Sequence, residues 1–181
     1  MKERTWTYAT TAIVAGLIAL AAIATMVIRI PIPATTGYFN IGDVFVVLAG
    51  LWLGPLAGAL VGGIGPTIAD AIGFPVFIPA TLVTKGLEGF LVGLIASGAR
   101  GKTLTLRTIA AFAGGFTVVV GYFAFEAYIY PAIGKSMPAF AVTDIGAAIV
   151  EIFPNAVQGV IGAVGGLALW KALSGYKPGK R

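Results

Sequence analysis

Residues 77–98, FIPATLVTKGLEGFLVGLIASG, form an apolar run with Lys85 and Glu88 near its middle. The run is long enough to cross a bilayer, which takes about 20 apolar residues in a helix. A charge at that depth costs at least about 2.5–3.5 kcal/mol, even on the lenient insertion scales. A chain that keeps two of them must give them a task. Three residues apart, they can share one helix face. One reading is an ion pair that neutralises itself. The other is a polar site in which Lys85 meets an anionic or acceptor group of a ligand, with Glu88, a turn deeper, as its structural partner. Ionisable residues inside membranes usually mark function, which favours the second.

The rest of the chain supports a membrane setting. Of its 181 residues 58% are hydrophobic and 10% charged, against about 25% charged in soluble domains. Mean hydropathy is +0.96. With no Cys and no His, disulfides, thiolate chemistry, imidazole metal sites and His relays are excluded. No metal, cofactor or catalytic residue is expected. The net charge of +5 does not indicate nucleic acid, because the basic residues flank apolar spans.

The expected fold is an all-α integral membrane protein, one domain over 1–181, with six transmembrane helices near 6–28, 44–53, 55–73, 77–98, 108–130 and 144–173. The first segment reads as a retained helix rather than a signal peptide. Residues 30–42, IPIPATTGYFNIG, read as a loop, and Pro131 as a stop for the fifth helix. Leu53-Gly54-Pro55 reads as a tight turn, with Pro55 opening the third helix. That helix is rich in Gly and Ala and suited to close packing. Six helices place Lys2, Arg4, Arg100, Lys102, Arg107, Lys171, Lys177, Lys180 and Arg181 on one side. The positive-inside rule then makes both termini cytoplasmic.

Further polar residues fall in the outer halves of the later helices. Tyr122 and Glu126 are four apart. Glu151, Asn155 and Gln158 follow i, i+4, i+7 spacing and share a face. Pro154 loosens the helix beside them. Combined by depth with Lys85, they describe a pocket open to the outside, lidded by the aromatic loop that carries Tyr38, Phe39 and Asn40. The expected contacts are Tyr38, Asn40, Lys85, Tyr122, Glu126, Glu151 and Asn155. Rings with a few charges suit a small planar heterocycle. Asp43 reads as a helix N-cap and Asp70 as peripheral; either could pair with Arg29. On helix one, Ala12, Ala15, Gly16 and Ala19 make a stripe of small residues, fit for bundle packing or for docking a second membrane subunit.

Three blocks carry a family resemblance: TTGYFNIGD (35–43), GLWLGPLAGALVGG (50–63) and IADAIGFPVFIPATLVTKGLEGFLVG (68–93). With GYF and E-A-Y of helix five and E-x-x-P-N-x-x-Q of helix six, the chain resembles the substrate-binding S components of energy-coupling factor (ECF) transporters, in the branch for vitamins and their precursors. The resemblance implies a prokaryotic plasma-membrane protein, not an enzyme, that captures a vitamin-like molecule outside. It also implies docking through the helix-one stripe onto a transmembrane T subunit with two cytoplasmic ATPases, and toppling in the membrane to deliver cargo. The sequence has no G-x-x-x-x-G-K-[ST] phosphate loop, so ATP hydrolysis falls to partners. Cargo candidates are a hydroxymethylpyrimidine-type ring, a vitamin B6 form or riboflavin, with a small pyrimidine or pyridine favoured. The rival reading is a self-sufficient proton-coupled transporter, for which an internal repeat would be the usual sign.

Overall fold

A computed structural model describes residues 7–32, 37–98 and 103–175. Trp6, the basic residues Lys2, Arg4, Arg100 and Lys102, and the tail from Tyr176 onward lie outside the described residues. The chain folds as α1 (Tyr8–Val27), β1 (Ile30–Ile32), β2 (Gly37–Phe39), α2 (Asp43–Leu53), α3 (Pro55–Gly73), α4 (Ile78–Ser97), α5 (Leu104–Ala124) and α6 (Ile145–Leu173). Among the described residues five stretches are long and apolar enough to cross a membrane: α1, α3, Pro75–Ser97, Leu104–Gly134 and α6. The protein is a six-helix membrane bundle.

The second helix is the exception in length, and it makes room for the site. At 11 residues α2 rises about 16 Å, roughly half of a ~30 Å hydrocarbon core. It begins at Asp43, level with Lys85 in the middle of α4. Gly54, at φ 101°, makes the tight turn into α3. Only a residue without Cβ enters that conformation cheaply. The part of the bundle that α2 leaves empty is occupied by the chain leading to it. The segment expected as a plain loop is an antiparallel hairpin, with Ile30 opposite Phe39 and Ile32 opposite Gly37. Gly37 and Asn40 are buried, so the hairpin is set into the bundle as a plug.

Close helix crossings hold the frame. A Cβ built on Gly58 or Gly62 of α3, or on Gly89 or Gly93 of α4, would come closer than 3.0 Å to backbone atoms of the facing helix. These are two facing G-x-x-x-G steps, which let backbones touch where a side chain would hold them apart. Gly115 of α5 and Gly159 of α6 meet in the same way.

The fifth helix departs from expectation at both ends. It starts at Leu104, capped by the Thr103 hydroxyl, which accepts from the Leu106 amide. It also runs past Pro131. Phe125–Ile129 form a π-helical turn, after which Tyr130–Gly134 are α-helical again. Pro131 falls in the first turn after this re-registration, where its missing N–H costs least. Opposite the hairpin, Arg107 donates to the Leu51 carbonyl at 2.8 Å and lies 4.1 Å from the Trp170 ring centre. Ile13, Trp52, Leu53, Trp170 and Leu173 pack around one core there, so α1 starts and α6 ends at the same end of the bundle.

Candidate functional site

Under the hairpin lies a small cavity with an open mouth. Its lining comes from the hairpin and from every long helix. The hairpin supplies Tyr38 and Asn40; α1 supplies Thr25; α3 supplies Pro66 and Asp70. Phe77, just before α4, and Thr81 on it form one wall. Tyr122 and Glu126 form another, and Glu151, Asn155 and Gln158 of α6 the last. Six of the seven expected contacts are therefore brought together.

Lys85 is the seventh, and it is not among the lining residues. Its ammonium is gripped by both oxygens of Asp43, at 2.5 and 2.6 Å, with both side chains fully buried. Glu88, expected as its partner, does form an ion pair with it at 3.8 Å, but beyond hydrogen-bond reach, so Asp43 is the closer partner. A partner on another helix can meet the ammonium head-on, whereas a residue three positions along the same helix reaches it only sideways. Asp43 is also not the helix cap expected of it. It is the first residue of α2, and no side-chain cap bond forms at Gly42 before it.

Gln158 joins this pair to the cavity floor. Its Nε2 donates to Asp43 Oδ2 at 3.0 Å, and its Oε1 accepts from the Asn40 amide at 2.9 Å. Asn40 Oδ1 in turn accepts from the Gly42 amide at 2.9 Å and the Thr25 hydroxyl at 3.5 Å. The floor is thus a continuous hydrogen-bonded network running from the hairpin to the central ion pair.

The lid is fastened by a cluster that the sequence reading divided differently. Asp70, expected at the periphery, accepts from the Tyr38 hydroxyl. The Tyr38 ring lies 4.5 Å from that of Phe74. Arg29 meets neither Asp43 nor Asp70 in an ion pair. Its guanidinium lies 5.0 Å from the Tyr38 ring centre and 5.3 Å from that of Phe74, and donates to the Ala69 carbonyl at 2.7 Å. Burial, then the neighbouring Asp70 charge, pushes the Tyr38 phenol well above its ordinary range. It stays a donor at any physiological pH.

The two glutamates are the chemically unfinished part of the site. Glu126 and Glu151 are 1% and 4% exposed. Both oxygens of Glu126 and Oε1 of Glu151 lack a hydrogen-bond partner among the described residues. Glu151 Oε2 accepts from Asn155 at 3.4 Å. Glu126 is the second residue of the π turn, a feature often found at functional sites. Its backbone carbonyl is held by the Thr143 hydroxyl at 2.8 Å. Buried polar groups are normally satisfied, so these acceptors leave the cavity wall open to a hydrogen-bond donor.

The sequence reading missed Asp70, Thr25 and Thr81. The Thr81 hydroxyl is paired with that of Tyr122 at 2.8 Å. Periodicity offers a signal for Thr81 alone, four residues before Lys85 on the same helix.

A family model described as "ECF-type riboflavin transporter, S component" matches residues 5–175. A protein of Pyrococcus woesei, described as an uncharacterized protein in gap 3'region, is 36% identical over 147 residues, which is 80% of this chain and 89% of that one. An apolar bundle with a lidded polar cavity fits a protein that receives a small polar cargo within a membrane. The chain belongs to the family of S components of ECF-type riboflavin transporters.

Proposed function

We propose that the protein captures a vitamin or vitamin precursor of the small pyrimidine or pyridine type in the cavity beneath the hairpin. It then delivers the molecule across the plasma membrane of a prokaryotic cell as the S subunit of an ECF transporter. The observation that carries this reading is the set of unpartnered, buried glutamate oxygens on a lidded cavity. The cavity's combination of aromatic rings with a few charged groups suits a small planar ring. The termini and the basic ends of the bundle face the cytoplasm, and the hairpin faces outward.

Calorimetry of the purified protein against hydroxymethylpyrimidine, the B6 forms and riboflavin tests the cargo. At least one small ring is expected to bind with micromolar or tighter affinity. If none of the panel bound at that level, capture in this cavity would be wrong. Riboflavin is the second reading, favoured by the description of the matching family; tight binding of riboflavin with rejection of the small rings would establish it instead.

Delivery requires partners: a transmembrane T subunit and two ATPases. Ala12, Ala15, Gly16 and Ala19 are exposed on α1, whereas Val14, Leu17 and Ala21 on its other face are buried. A Cβ on Gly16 would meet nothing within 4 Å. The stripe is therefore free of bundle packing and available for a close helix contact. Ala15→Trp or Ala19→Trp should abolish co-purification with the T subunit. Cargo affinity should stay within about twofold, the usual limit for surface changes away from a site. Uptake by proteoliposomes holding this chain alone, driven by a proton gradient, would refute the dependence on partners.

A further inference from the structure

We propose that the cavity selects a cationic nitrogen: the cargo carries a primary ammonium that docks between Glu126 and Glu151, and Glu126 decides the specificity. This rests on the reading of the cavity as the cargo site and narrows the class of cargo.

The argument begins with the charges around the cavity. Three carboxyl side chains line it, those of Asp70, Glu126 and Glu151, and no Lys or Arg does. Asp70 already accepts from Tyr38. Lys85, the cation nearest the floor, is held by both oxygens of Asp43 beneath Gln158. Arg29 is placed over the rings of Tyr38 and Phe74 and bonded to Ala69. The carboxyls of Glu126 and Glu151 lie close enough to each other to share a proton, and a cation brought by the cargo can take that proton's place. A buried charge without a partner is far more costly than a paired one.

The donors also match in number. The free acceptors are Oε1 and Oε2 of Glu126 and Oε1 of Glu151. An ammonium group offers three N–H donors and no acceptor. A hydroxymethyl group offers one donor and brings acceptor lone pairs toward carboxylate oxygens. The flavin ring edge offers a single N–H between two carbonyls, and sets acceptor against acceptor in the same way.

The site is also built to hold its position. The π turn at Phe125–Ile129 sets the direction of Glu126, and Thr143 fastens its carbonyl. Asn155 holds the second oxygen of Glu151. A rigid pair of acids with three open acceptors discriminates by charge, and the flat walls of Tyr122 and Phe77 accept the ring.

Matched ligands test the idea. Pyridoxamine and pyridoxine share a ring and exchange an ammonium for a hydroxyl, as do aminomethylpyrimidine and hydroxymethylpyrimidine. Calorimetry on the detergent-purified full chain should show the amine of at least one pair binding more than about tenfold tighter, the least expected of a charge-assisted bond. Glu126→Gln should bring that ratio close to one. Glu151→Gln should reduce it partly, which keeps the test open if the first variant fails to fold. Equal affinities within each pair, or a preference for the alcohols, would overturn the ammonium assignment and leave the cavity as the cargo site. Binding of riboflavin alone would overturn the assignment and the small-ring reading together. If nothing in the panel bound, both the capture reading and this assignment would fall.

Discussion

Asp43→Ala is expected to cost the protein about 3–5 kcal/mol of stability, the usual penalty for removing one member of a buried ion pair. Lys85 is 0% exposed and has Asp43 as its hydrogen-bonding counter-charge. Removing the carboxylate leaves an ammonium in the middle of the bundle and strips Gln158 Nε2 of its acceptor. Glu88, 3.8 Å from the ammonium, can recover part of the loss by a change of rotamer, so the low end of the range is the more natural outcome. The double change Asp43→Asn with Lys85→Met removes both charges and keeps an acceptor for Gln158. It should regain part of the loss, because a buried pair replaced as a unit is often neutral, while Glu88 loses the cation 3.8 Å from it. Thermal unfolding in detergent measures both. A shift of only a degree or two for Asp43→Ala, or a double variant no more stable than the single one, would contradict the role assigned to the pair.

That pair shows where a sequence stops being legible. Lys85 announces itself as a charge inside an apolar run, and the cost of burying it guarantees a partner. The partner itself is set by packing. Glu88 is the neighbour along the helix, but Asp43, forty-two positions away in the chain, reaches it because α2 starts at mid-depth. Nothing in the local pattern of DVFVVLAG gives that depth. By contrast, Glu126, Glu151 and Asn155 were readable, because polar residues on one face of an apolar helix can point only to protein or to a cavity. Helix number and most boundaries followed from hydropathy and from Gly-Pro turns. The hairpin did not, since two three-residue strands are too short to show an alternation. The π turn also left no mark in the sequence. It is followed by Tyr130, which is fully buried and donates to the Val76 carbonyl at 2.8 Å.

The short α2, the central ion pair and the cavity form one arrangement. A full-length second helix would fill the space now taken by the cavity. Ending it at Asp43 exposes a carboxylate at mid-depth, which Lys85 neutralises. The hairpin that replaces the missing turns brings Asn40 and Tyr38 to the cavity as floor and lid. The glutamates on the opposite wall can then remain unpartnered, because the stability of the bundle is supplied elsewhere. Function occupies the region where packing is deliberately incomplete.

The second large effect is expected at the glycine crossing of α3 and α4. Gly58→Ala should destabilise the bundle by more than the roughly 1–3 kcal/mol typical of overpacking. An added Cβ would fall on the Gly89 carbonyl and on the backbone beside it, and backbone cannot change rotamer to make way. The helices would have to separate, and the contact is repeated one turn along, where Gly62 abuts the Lys85 carbonyl. Separation at Gly58 therefore moves the turn of α4 that carries Lys85 away from Asp43, so that packing strain and electrostatic loss arrive together. Gly63→Ala and Gly86→Ala are the controls. Their nearest neighbours would be 3.5 and 3.7 Å from the new Cβ, ordinary contact distances, and alanine is the better helix former by about 1 kcal/mol. Both should leave the unfolding temperature unchanged or raised. Equal unfolding temperatures for Gly58→Ala and the two controls would mean that the crossing is not held by backbone contact, and that the depth of the ion pair, and with it the floor of the cavity, is fixed by something other than these glycines.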